Sequence, residues 1–156
     1  MSQSTSVLNT TTLQQALNAI RRGRPLPNKH ALLAMAIVQA DMARLSHLDV
    51  QSQQLFVIED RLRSMLEDAL GITHQHDPKC YTILLTHLKS NNAFLRGYSV
   101  LYIRYFCPNW NIKLNDLAAD VGVSDRSVRR WQQDGLRHLL LALMRQEMRL
   151  IHSVPA

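Results

Sequence analysis

Apolar side chains return at every third or fourth position along this sequence, and few residues are able to interrupt the rhythm. Leu13, Ala16, Leu17 and Ile20 fall on one helical face, and Leu136, Leu139, Leu140 and Leu143 repeat the pattern near the other end. A stripe of this period is buried as one face of a helix, whereas a half-buried strand alternates every second residue. Five glycines and five prolines leave little material for the tight turns of an all-β chain. With 156 residues, 46% hydrophobic and 19% charged, the chain is long and apolar enough to bury a core. The expected fold class is all-α.

Local punctuation divides the helices. Residues 1–11 are polar and read as a flexible N-terminus. Thr12 is expected to cap a helix that carries Arg21 and Arg22 at its end and stops at Gly23. Two prolines follow, Asn28 is a plausible cap, and 31–45 reads as one nearly all-apolar helix at the centre of an N-terminal bundle. Asp49 opens a third helix whose Leu55, Phe56, Ile58, Leu62, Met65, Leu66, Ala69 and Leu70 continue to Gly71. Tyr81, Leu84, Leu85 and Leu88 mark a fourth, and Asn91 and Asn92 break it. An aromatic-rich fifth spans 93–106 and ends before Pro108. The N-terminal helical bundle is thus expected over 12–90 and a second unit over 91–156.

Charge separates these parts. The chain carries 18 Lys and Arg against 12 Asp and Glu, and the excess lies in the second half, with 11 basic and 6 acidic residues after position 75. Such a balance favours polyanionic partners. Two cysteines do not make a disulfide framework, no charged segment followed by an apolar run opens the sequence, and runs such as Ala31–Val38 are too short to cross a bilayer. A cytoplasmic location without membrane contact is expected.

The most specific stretch is LNDLAADVGVSDRSVRRWQQ, from Leu114 to Gln133. Two helices that cross at a short turn need a small residue where they touch, and Ala118 supplies it. The turn needs a positive φ, which Gly122 adopts without steric cost. Leu117, Val121, Val123, Val128 and Trp131 occupy the positions that lock the pair together, Ser124 caps the second helix, and Asp125 sits in its first turn. This stretch resembles the helix-turn-helix of bacterial transcription regulators, and SDRSVRRWQQDGLRHL is similar to the last helices of sigma-factor region four. The resemblance implies a helix-turn-helix domain with a C-terminal helix over 91–156, duplex DNA as partner, and a recognition helix in the major groove. Lys113, Ser124, Asp125, Arg126, Ser127, Arg129, Arg130 and Gln133 are then the DNA-binding candidates, with Asn115 beside them. The same arginines would also suit a solvated helix face, and a helix-turn-helix is sometimes reused for docking.

Other signals are weaker. His74, His76, Asp77 and Cys80 have zinc-ligand chemistry without a recognised ligand spacing, so no metal site is expected. His87 and Cys107 stand alone, and no phosphate-binding glycine loop or nucleophile turn is present, so neither a cofactor nor enzymatic activity is expected. Gly135 is expected to end or bend the recognition helix before a last helix through Leu136, Leu139, Leu140, Leu143, Met144, Met148 and Ile151. That wide apolar band suits either core packing or a homodimer or partner surface, a role the N-terminal bundle also suits. The leading expectation is a DNA-binding transcription regulator or DNA-binding subunit, and its rival is an adaptor docking on a larger complex.

Overall fold

The computed structural model describes residues 8–27, 30–45, 49–73 and 78–153. The fold is all-α, and the described residues contain helices and connecting turns without a strand. The elements are α1 (Thr10–Arg22), a 3-10 turn (Ala31–Ala34), α2 (Ala36–Ala43), α3 (Val50–Leu70), α4 (Cys80–Leu88), α5 (Ala93–Leu101), a π-turn (Tyr102–Phe106), a second 3-10 turn (Pro108–Trp110), α6 (Leu114–Val121) and α7 (Asp125–Ser153). Among the described residues no helix is long and apolar enough to cross a membrane. The chain forms two compact units. One comprises Met1–Arg61 with Leu140–Ala156, the other Leu62–Leu139.

In the first unit, α1 begins earlier than Thr12. Asn9 is the cap, its side chain accepting from the Thr12 N–H at 2.9 Å while the Thr12 hydroxyl accepts from the Asn9 N–H at 2.8 Å. Residues 9–11 therefore belong to an ordered helix start, not to a loose terminus. Gly23 ends α1 with φ 63°, as its position suggested. Asn28, the expected cap of the next helix, lies outside the described residues. The expected helix over 31–45 is two elements: a 3-10 turn, an extended Met35 with ψ 139°, and then α2. The reason is tertiary. The α2 N-terminus is capped from α7, where the Glu147 carboxylate accepts from the Ala36 and Ile37 N–H groups at 2.8 and 3.0 Å. Local periodicity cannot register a partner 110 residues away.

His30 holds the 3-10 turn. It is buried, its Nδ1 accepts from the Leu32 N–H at 3.2 Å, and its Nε2–H donates to the Thr12 carbonyl at 2.9 Å. Asp49 caps α3 as expected, accepting from the Ser52 N–H and hydroxyl. Within α3 the inward face is carried by Val57 and Ile58, and then by Leu62, Leu66 and Leu70, while Phe56, expected in the buried stripe, is exposed. Arg61 joins α2 to α7 in this unit, with its guanidinium 2.6 Å from the Asp41 carboxylate and 2.8 Å from the Gln146 carbonyl oxygen.

The second unit packs around tyrosines. Asn92 caps α5 by accepting from the Leu95 N–H, and Tyr98, Tyr102 and Tyr105 are fully buried. The expected single helix over 93–106 instead widens after Leu101 into the π-turn, an insertion that often marks functional positions. Tyr102 donates to Glu67 of α3 at 2.7 Å, and burial with that carboxylate pushes its phenol pKa up. The His87 ring donates to the Leu70 carbonyl. Tyr81 donates to Asp120 of α6 and meets the Trp110 ring edge-on, which couples α4 to both neighbours.

Gly135 does not end a helix. It lies inside the continuous α7, where a Cβ would meet the Gly97 carbonyl oxygen at 2.5 Å, and a Cβ on Gly97 would meet the Gly135 Cα at 2.6 Å. The two glycines let the α5 and α7 backbones touch, which corrects the expected separate last helix.

Candidate nucleic-acid interface

A short helix, a turn and a long helix occupy the stretch that the sequence singled out. The Lys113 N–H donates to the Asp116 carboxylate at 3.0 Å and starts α6. Gly122 takes the left-handed conformation with φ 78°, and the Gly122 and Val123 N–H groups both donate to the Ala118 carbonyl at 2.9 Å. Ser124 then receives the Ser127 N–H on its hydroxyl at 3.2 Å, and α7 begins at Asp125. Each step satisfies backbone groups that a helix end otherwise leaves open.

Burial sorts the residues of this stretch into two faces. Of the five positions expected to lock the two helices, Leu117, Val128 and Trp131 are buried while Val121 and Val123 are only half-buried, and the small Ala118 is buried as well. The Arg96 guanidinium lies over the Trp131 ring, 4.9 Å from its centre. Of the DNA-binding candidates, Lys113, Ser124, Asp125, Arg126, Arg129, Arg130 and Gln133 are exposed, as is Asn115. Ser127 is half-buried, its hydroxyl 3.1 Å from that of Ser124. These two serines are engaged with each other at the cap.

Between the π-turn and these helices lies an open cleft of about 550 Å³. Arg104 enters it from the π-turn, Leu114 and Asn115 from α6, and Asp125, Arg129, Gln132 and Gln133 from α7. The cleft thus gathers Asp125, Arg129 and Gln133 from the candidate set with Asn115, and leaves Lys113, Ser124, Arg126, Ser127 and Arg130 outside its lining. Arg104 and Gln132 are the residues that sequence reasoning missed. Their signal is a misfit: a cation within the buried run Tyr-Ile-Arg-Tyr-Phe, and an amide four residues after Val128 on the apolar stripe. Both are incompletely satisfied, since Arg104 Nε and Gln132 Oε1 are enclosed without a hydrogen-bond partner. A buried polar atom left unpaired typically costs about 1–3 kcal/mol.

The other candidate chemistry lies elsewhere. Cys80 and Cys107 are buried, and burial, followed by the neighbouring Cys80 and Glu67, pushes the Cys107 pKa up, so that thiol stays protonated. His74, His76 and Asp77 lie outside the described residues, among which no His, Cys, Asp and Glu group has a metal-holding arrangement. No family model, curated protein or solved structure matches this chain.

Proposed function

We propose that this chain binds duplex DNA as a bacterial, cytoplasmic transcription regulator or DNA-binding subunit, with α6 and the first half of α7 acting as a helix-turn-helix. One observation carries the reading. Arg126, Arg129, Arg130 and Gln133 are all exposed on the first turns of α7, while Val128 and Trp131 anchor its opposite side. A helix so arranged offers guanidinium groups to guanine edges or phosphates and a carboxamide to adenine, with Lys113 at the start of α6 and Asn115 within it as further candidates. Asp125 in the first turn opposes the helix dipole and keeps the N-terminus from being wholly cationic.

The test is a titration of wild type and of Arg126→Ala, Arg129→Ala and Arg130→Ala on specific and random duplexes, with circular dichroism as folding control. Affinity should fall with salt by a log-log slope of about −0.9 per phosphate neutralised. Loss of a base-reading arginine should cost ~1–3 kcal/mol on the preferred site alone, and loss of a phosphate-holding one should weaken all duplexes alike. Folded variants that all bind like wild type would remove α7 from the groove.

A second reading, a protein-docking module, draws on a different observation. Leu141, Met144, Met148 and Ile151 of α7 are 46–52% exposed and spaced three, four and three residues apart, an apolar stripe of the kind that seats a partner helix. Binding that is flat from low to moderate salt would favour it.

A further inference from the structure

The cleft beside α7 contains groups that the proposed recognition helix does not by itself explain. Arg104 comes from the π-turn, outside the stretch that resembles a helix-turn-helix, and its enclosed Nε–H has no acceptor. Gln132 is 5% exposed, lines the same cleft, and its Oε1 has no partner. Enclosed polar groups in folded proteins are ordinarily paired, and these two belong to side chains that line one open cleft together with the exposed Arg129.

We infer that this cleft grips one phosphodiester of a nucleic-acid strand, with Arg104 and Arg129 as its cationic partners and Gln132 as its neutral one. Charge narrows the class of ligand. Arg104 and Arg129 set against Asp125 leave one net positive charge on the lining, which balances a singly charged phosphodiester and falls short of a doubly charged phosphate monoester. Chemistry agrees with it. Guanidinium N–H groups form short, charge-assisted bonds to phosphate oxygens, and a carboxamide exchanges its acceptor for a donor by a half-turn about its last bond. Size agrees too, because about 550 Å³ lies within the usual range for small-ligand sites and leaves room for sugar on either side of the phosphate. The inference rests on the proposed DNA-binding reading and extends it. The phosphate contact set then includes a residue from the tyrosine-rich segment as well as from α6 and α7.

The test uses the full chain in two measurements. In the first, the side-chain Nε–H resonances of Arg104 and Arg129, assigned by their loss in Arg104→Lys and Arg129→Lys, are followed while duplex, dimethyl phosphate or inorganic phosphate is added. In the second, duplex binding of Arg104→Gln is compared with that of Lys89→Gln, which removes the same charge from an exposed site outside the cleft. Duplex should shift both resonances, and Arg104→Gln should flatten the log-log salt slope by about 0.9 on every sequence, while Lys89→Gln keeps the wild-type slope. Duplex binding with both resonances unmoved and an unchanged Arg104→Gln slope overturns the inference and leaves the DNA-binding reading standing. Tighter binding of inorganic phosphate than of dimethyl phosphate also overturns it, by assigning the cleft to a free dianion. Shifts with dimethyl phosphate in a protein that binds no duplex keep the phosphodiester grip and remove the duplex reading.

Discussion

Trp131 is the side chain on which the start of α7 most depends, because it is large, 6% exposed and covered by the Arg96 guanidinium. Its replacement by alanine should lower stability by about 3–5 kcal/mol, the usual cost of truncating a buried aromatic, read as a shift in the urea midpoint. An unchanged midpoint would place the ring in the binding surface instead. His30 sets a second residue-scale expectation, this one on pH. Burial lowers its pKa from 6.5, the hydrogen bond to Thr12 offsetting part of the effect, so the folded protein holds a neutral ring. As pH falls through about 6.5 the unfolded chain takes the proton first. The contribution is therefore full above that pH and is lost as pH drops through the lower folded value. His30→Gln should be less stable than wild type at pH 7.5, and the gap between the two should narrow by pH 5 in parallel denaturation curves.

At the scale of elements, the contact of α5 with α7 is decided by Gly97 and Gly135. Gly135→Ala would gain about 1 kcal/mol of helix propensity. It also places a methyl group 2.5 Å from a backbone oxygen that cannot swing aside. Overpacking of this kind typically costs ~1–3 kcal/mol, so the variant should melt lower than wild type, and an equal or higher melting temperature would deny the crossing. The α2 cap is the second such device. Glu147→Ala should cost about 0.5–2 kcal/mol and speed hydrogen exchange at the amides of Ala36 and Ile37, with Glu147→Gln intermediate. These two devices also show why part of the fold is hidden in the sequence. Boundaries made by local chemistry are readable, as at Gly23, Asp49, Gly71 and Gly122, where the residue acts on its own backbone. Gly135 reads in the sequence as an end or a bend because its reason, a second helix, is not local, and the break at Met35 is missed because its cap is a distant carboxylate. The exposed arginines of α7 follow from the helical period of their buried neighbours. Arg104 and Gln132 do not, since only the folded π-turn brings them to one cleft.

For the whole molecule, the two compact units differ in how the chain builds them. Leu62–Leu139 is one uninterrupted segment, whereas the other unit joins Met1–Arg61 to Leu140–Ala156. A fragment of residues 62–139 should therefore show cooperative thermal unfolding by circular dichroism, and a fragment of residues 1–61 should not. Non-cooperative melting of the first, or a sharp transition in the second, would contradict this division. The Glu147 cap then acquires a meaning in time. A ribosome releases the chain from its N-terminus, so the amides of Ala36 and Ile37 emerge long before the carboxylate that receives them. During synthesis α2 is therefore made well before the group that caps it, and a nascent chain stalled short of residue 147 carries α2 with its N–H groups turned to water.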